Sequence, residues 1–158
     1  MFIRSSEPAG PVVQMRLTFR APRAMVWRTF TDAELLKKWH FADPGWETYD
    51  AKVELAPLGT YELHIRPKDR SWDSCIHGNF VEVRDQERLA YTFTGAAESA
   101  DYYTLVTVRF EDTEDGGSAL ELTHGVFADE EARLMHEQGW FGCFSQLAAL
   151  LDEELTTG

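Results

Sequence analysis

"MHEQGWFGCFSQLAALL", residues 135–151, is the apolar C-terminal stretch around which we expect the rest of the chain to fold. At 100° per residue, one helix face collects apolar side chains and the opposite side carries Gly142, Ala149 and Glu153. The apolar face consists of Trp140, Cys143, Phe144, Leu147, Leu151 and Leu155. Because such a face needs a partner surface, the sequence predicts a sheet packed against this helix.

Two glycines interrupt this helix, although glycine in a helix interior costs about 1 kcal/mol relative to alanine. Upstream of Gly139, Leu134 and Met135 fall outside the apolar arc, whereas His136 falls inside it. This change of phase predicts a kink at Gly139, or a short helix followed by the main one. Gly142 is predicted to lie on the outer side, away from the sheet.

The residues before the helix alternate between apolar and polar, which is typical of half-buried strands. A first strand is predicted at 12–21, and two short helices follow it up to Trp39. The later strands are predicted at 49–56, 60–66, 75–83, 88–94, 102–111 and 119–125. Since the connections are short, neighbouring strands should be antiparallel.

Two local signals refine this prediction. Thr31 and Glu34 have the spacing of a capping box at the start of the second helix, with Phe30 and Leu35 as a hydrophobic staple. Gly78 interrupts the alternation of its strand and predicts a β-bulge there. The outcome is an α+β fold, in which a curved antiparallel sheet of about six or seven strands surrounds the long C-terminal helix.

Length and composition favour one domain. The 158 residues are 44% hydrophobic and 13% aromatic, which is enough for a folded core. We expect a loose arm over 1–11 and a single domain over 12–158. The 15 basic and 27 acidic residues give a net charge of −12, which disfavours nucleic acids and anionic membranes as partners.

The cysteines and the N terminus favour a cytoplasmic location. Cys75 and Cys143 have no CxxC spacing, and two free thiols suit a reducing compartment. No signal peptide and no stretch of about 20 apolar residues is present. A homodimer stays possible.

Four stretches carry a resemblance to a known family. They are APRAMVWRTFTDAELLKKW (21–39), YELHI after Gly59, HGNFVEVRDQERLAYTFT (77–94) and the LELTHGVF…GW…LL pattern between 120 and 151. In this order they resemble the SRPBCC superfamily, which includes START lipid carriers, and within it the branch named after the activator of heat-shock-protein 90 ATPase. The resemblance implies a helix-grip fold with an apolar cavity between sheet and helix.

The candidate site residues are those expected to face this cavity. They are Trp39, His77, Tyr91, Phe93, His124, His136, Trp140, Cys143 and Phe144. His124 shares a strand face with Leu120 and Leu122, so it is either a hydrogen-bonded core histidine or a ligand contact. His136 is expected either at the cavity entrance or in solvent. For His77, the sequence does not decide which face of the strand carries the side chain. His40 is placed in a loop and His64 on the outer face.

The sequence contains no strong catalytic or metal-binding pattern. It has no GxSxG elbow, P-loop or dinucleotide fingerprint, and its histidines lack metal-ligand spacing, so neither a metal nor a cofactor is expected. The leading hypothesis is therefore a protein that binds a small apolar or aromatic molecule. A cyclase/aromatase-like or hydrolytic enzyme that uses His124 is the alternative. The resemblance also allows an interaction module like the chaperone ATPase activators.

Overall fold

The computed structural model describes residues 10–95 and 103–157, with side chains to residue 155. Seven strands and three helices are found in these ranges. In chain order they are β1 Val13–Phe19, α1 Arg23–Thr31, α2 Ala33–Trp39, β2 Trp46–Val53, β3 Thr60–Pro67, β4 Ser74–Arg84, β5 Arg88–Phe93, β6 Thr104–Asp112, β7 Ser118–Gly125 and α3 Glu130–Thr157. The predicted α+β fold and its order of elements are confirmed.

The strands form one antiparallel sheet in the order β1-β7-β6-β5-β4-β3-β2. Every hydrogen-bonded neighbour except the β1–β7 pair is also adjacent in sequence, as short hairpin connections require. The sheet curls into a half-barrel around α3, while α1 and α2 link its two edge strands. This is the helix-grip arrangement that the resemblance implies.

The predicted apolar face of α3 fills the centre of the core. Trp140, Cys143, Phe144, Leu147 and Leu151 are all buried. Burial of one large apolar side chain contributes about 1.5–3 kcal/mol, so this face is a major source of folding free energy. Of the helices in 10–95 and 103–157, none has the length and hydropathy that a membrane crossing requires.

The structure corrects the interpretation of the two helix glycines. α3 is one continuous helix, so the alternative of a short helix followed by the main one is wrong. A Cβ atom on Gly142 would lie 2.0 Å from the carbonyl oxygen of Ala42, while a Cβ on Gly139 would meet nothing within 4 Å. The side of α3 at Gly142 is therefore crossed by the loop between α2 and β2, a contact that the sequence did not predict.

Two local predictions are displaced by short distances along the chain. Asp32, and not Thr31, caps α2: its carboxylate accepts hydrogen bonds from the backbone N–H groups of Glu34 and Leu35. The irregularity in β4 lies between Phe80 and Glu82, not at Gly78. Gly78 instead allows the backbones of β4 and β5 to approach closely, since a Cβ there would lie 2.0 Å from the Thr92 carbonyl oxygen.

The bounds of β2 differ most from prediction. The strand covers Trp46–Val53 and not 49–56, and a bulge between Thr48 and Asp50 inverts its alternation. Leu55 falls within the predicted strand but is 40% exposed, because the chain has already left the sheet. The first nine residues of the predicted arm and residue 102 of the predicted sixth strand lie outside the described residues.

Candidate functional site

A cavity of about 430 Å³ lies between the N-terminal half of α3, the loop after α2 and the ends of strands β3–β5. Most of its wall is apolar, and six rings line it. These are the side chains of His40, Trp46, Trp72, Phe93, His136 and Trp140. The volume falls in the range of about 300–1,000 Å³ that is usual for small-molecule sites.

The mouth of this cavity is formed by exposed apolar side chains. Trp72 is 41% exposed and Met135 is 50% exposed, although both line the cavity. The rings of Trp46 and Trp72 meet edge to face with their centroids 5.0 Å apart. A molecule can therefore enter from solvent past an aromatic rim.

A second, smaller cavity lies deeper under the sheet. Its volume is about 20 Å³, which is enough for about one water molecule. Tyr91 lines it, and burial raises the pKa of the Tyr91 hydroxyl, which stays neutral. His40 and Phe93 line both cavities and so separate them.

His40 is held at this dividing position by its own backbone. Its N–H donates to the Leu36 carbonyl at 3.0 Å as the C-cap of α2, and its carbonyl accepts from the Thr48 hydroxyl at 2.5 Å. Only 5% of the residue is exposed, and its Nδ1 has no hydrogen-bond partner in the described part of the chain. Burial lowers the pKa of His40 to about 4, so the imidazole is neutral at pH 7. His40 follows α2 outside any helix or strand, as predicted, but its burial was not predicted.

The buried imidazole of His40 makes the fold sensitive to acid. Its folded pKa of about 4 lies below the ordinary 6.5, so between these values the unfolded chain binds a proton that the folded chain excludes. This stabilising term is complete above pH 6.5 and is lost as pH falls toward 4. Between pH 6.5 and 5.5 we expect wild type to lose about 1 kcal/mol more unfolding free energy than His40→Phe does.

Urea unfolding of both proteins at the two pH values measures this difference. Titratable groups that do not interact with His40 cancel in the comparison. Equal losses in the two proteins would contradict the assignment of a buried, neutral His40.

His124 is the centre of a buried hydrogen-bond chain. The indole Nε1–H of Trp140 donates to its Nδ1 at 2.8 Å, which places the imidazole proton on Nε2. That N–H donates to the Thr104 hydroxyl at 2.6 Å, and the hydroxyl donates to the Phe93 carbonyl at 3.0 Å. Burial, then the neighbouring His136 and His40, lower the pKa of His124 well below its ordinary value. His124 is a neutral core histidine, and it lines neither cavity.

The sequence over residues 20–152 matches the family model of the activator of Hsp90 ATPase homolog 1-like proteins. The chain belongs to this family. The match covers α1, α2, strands β2 to β7 and most of α3, and it confirms the predicted branch of the SRPBCC superfamily. Among proteins of curated function, none matches this sequence.

Solved structures share this AHSA1-like fold along almost the whole chain. A protein from Nitrosomonas europaea has a TM-score of 0.78 at 26% identity, covering 95% of this chain and 99% of its own. The AHSA1 protein from Silicibacter pomeroyi also has a TM-score of 0.78, at 18% identity, covering 90% and 99%. An AHSA1-like protein from Aeromonas hydrophila has a TM-score of 0.73 at 20% identity, covering 89% and 94%.

Five of the nine predicted site residues line a cavity of this AHSA1-like chain. Phe93, His136, Trp140 and Cys143 line the larger cavity, and Tyr91 and Phe93 line the smaller one. His136 is half-buried at the wall, where its Nδ1–H donates to the Ala132 carbonyl at 2.8 Å. This position agrees with the predicted entrance.

The other four predicted residues do not reach either cavity. Trp39 donates its indole N–H to the Thr29 carbonyl at 2.7 Å and packs on Phe144, so both rings belong to the core. His124 is enclosed as described above. His77 lies on the outer face of β4, since the alternate residues Ile76 and Gly78 face inward, and its ring contacts Tyr103.

The two cysteines of this AHSA1-like chain lie in different surroundings, one in the core and one on the outer face. Burial raises the pKa of the Cys143 thiol to about 12. On the outer face, His64 Nε2 lies 3.9 Å from Cys75 Sγ and 3.5 Å from Glu62 Oε2. One nitrogen serves both contacts, so the group cannot relay a proton as a triad does. Within the described residues, no group of three or more His, Cys, Asp or Glu side chains could hold a metal ion.

Proposed function

We propose that this protein binds a small, largely apolar molecule in the larger cavity. The observation that carries the proposal is the 430 Å³ space lined by six rings and open at an aromatic rim. Water beside the apolar part of this wall has few polar partners, so its displacement by an apolar molecule is favourable. The volume is in the range of sites that hold small organic molecules.

Gly139 offers a direct way to block this cavity. It lines the wall, and a Cβ there would meet nothing within 4 Å. We expect Gly139→Phe to place its ring in the cavity and to weaken binding of the neutral fluorescent probe N-phenyl-1-naphthylamine at least about tenfold. Fluorescence titration of wild type and the variant measures the change.

Gly139→Ala is the matched control, because it changes the same position without filling the space. Its affinity for the probe should stay within about twofold of wild type. Weak or absent binding of the probe to wild type contradicts the proposed function. Equal binding to wild type and Gly139→Phe would place the probe elsewhere on the protein.

The enzyme alternative has less support than ligand binding. Both His124 nitrogens already bond inside the protein, so we do not propose a catalytic role for it. Nothing in the described surface favours a chaperone partner over a small molecule. The two unpaired cysteines support the further proposal that the protein works in a reducing cytoplasm.

A further inference from the structure

We infer that the ligand is a neutral aromatic molecule with one hydroxyl group, and that this hydroxyl pairs with the imidazole of His40. The inference rests on the proposed function and adds the chemistry of the ligand to it. It follows from the position of His40, which is the polar one of the two side chains that line both the larger and the smaller space.

The backbone of His40 is held by hydrogen bonds, but the ring Nδ1 lacks a partner among the described residues. A buried polar atom without a hydrogen bond costs about 1–3 kcal/mol, so such atoms are rare outside functional sites. The Nδ1 of His40 is such an atom within residues 10–95 and 103–157. His124 provides the contrast in the same core, since both of its ring nitrogens have partners. Of these two buried histidines, His40 also lines both cavities, whereas His124 lines neither.

A hydroxyl group matches this imidazole better than other polar groups do. A neutral imidazole has one donor and one acceptor nitrogen. A hydroxyl can donate and accept, so it pairs with whichever nitrogen faces it. A carbonyl oxygen pairs only with the donor nitrogen.

The charge around the cavity excludes an anion as the preferred ligand. No lysine or arginine is found among the described residues of the cavity wall, and the nearest charged group there is the Asp43 carboxylate. The chain also carries a net charge of −12. A carboxylate ligand would lose its water without gaining a counter-ion, which is strongly unfavourable.

Aromatic walls favour a flat ligand. Trp140 and Phe93 form neighbouring parts of the wall, and the His40 and Trp140 rings meet edge to face at 5.5 Å. Aromatic pairs of suitable geometry contribute about 0.5–1.5 kcal/mol beyond the burial of their area. A fused two-ring molecule can contact several of these faces at once.

The test compares three compounds that share one ring system, using the full chain at pH 7.5. They are 2-naphthol, 2-methylnaphthalene and 2-naphthoate, measured by displacement of N-phenyl-1-naphthylamine. We expect 2-naphthol to bind about tenfold more tightly than 2-methylnaphthalene, the value of one hydrogen bond to a buried group. We expect 2-naphthoate to bind more weakly than both.

His40→Phe removes the hydrogen bond but keeps a ring. It should bring 2-naphthol and 2-methylnaphthalene to equal affinity. His77→Phe, the same substitution on the outer face, should keep the tenfold preference. In wild type, the ¹⁵N resonances of the His40 ring should shift with 2-naphthol and not with 2-methylnaphthalene, a measurement that does not depend on the folding of a variant.

The outcomes separate this inference from the proposed function. Equal binding of 2-naphthol and 2-methylnaphthalene to wild type overturns the hydroxyl assignment and leaves apolar binding intact. Preferred binding of 2-naphthoate overturns the neutral ligand. Failure of all three compounds and of the fluorescent probe to bind overturns the proposed function and this inference together.

Discussion

His124→Leu is expected to lower the free energy of unfolding by about 3 kcal/mol, because it removes the centre of a buried hydrogen-bond chain. The substitution leaves the indole N–H of Trp140 without its acceptor and removes the donor to the Thr104 hydroxyl. A buried donor without a partner costs about 1–3 kcal/mol, and each lost hydrogen bond adds about 1 kcal/mol. Urea unfolding at pH 7.5 measures the loss.

A double-mutant cycle separates the hydrogen bond from the general cost of changing the core. Trp140→Phe removes the indole N–H, so His124→Leu should cost about 1–2 kcal/mol less in that background than in wild type. The same cost in both backgrounds would mean that the bond between the two rings does not stabilise the fold. Binding of N-phenyl-1-naphthylamine to folded His124→Leu should weaken as well, since Trp140 is part of the cavity wall.

Gly142→Ala is expected to destabilise the protein by about 2 kcal/mol, although alanine is the better helix former. The added Cβ would lie 2.0 Å from the Ala42 carbonyl oxygen, and a backbone atom cannot rotate away as a flexible side chain can. Helix and loop must therefore separate. For a domain of this size, the melting temperature should fall by about 4–8 °C.

Gly139→Ala, the same substitution three positions before Gly142, is expected to have the opposite effect on stability. With nothing within 4 Å of the new Cβ, the gain in helix propensity stays and stability should rise by up to about 1 kcal/mol. Thermal melting of both variants beside wild type measures the contrast. A stabilised Gly142→Ala would contradict the close contact between α3 and the loop.

The parts of the fold that the sequence predicted are those that depend on periodicity. The apolar face of α3 and the alternating strands need only the local chain, because a buried face imposes a repeat of 3.6 or 2 residues. The errors in β2 and β4 arise where a bulge breaks that repeat. The cap of α2 was misplaced by one position, since Thr31 and Asp32 are both good N-cap residues and only the backbone distinguishes them.

The site was predicted less completely, because it depends on segments that are distant in sequence. His40 and Trp46 flank a loop, and Trp72 lies in another loop; no repeat links them to α3. Trp39 is predicted to face the cavity, yet it fills the core, and Trp46 and Trp72 line the cavity instead. A tryptophan at a helix end can cap the edge of a core or close the mouth of a pocket, and its sequence position does not distinguish the two.

The segment that covers the Gly142 side of α3 could not be predicted from a helical wheel either. The wheel locates the apolar arc, but it contains no information about a loop that crosses the opposite side. Two glycines three residues apart therefore gave the same sequence signal. In the structure one makes room for a backbone and the other faces open space.

The continuous helix α3 divides its tasks along its length, and this division affects how the protein can evolve. Leu147, Leu150 and Leu151 in its second half are buried in the core, whereas Met135, Gln138 and Gly139 in its first half line the cavity. Substitutions at these three positions are therefore expected to alter the proposed ligand preference at little cost in folding free energy. A library at positions 135, 138 and 139 is the natural starting point for selecting variants with new binding preferences.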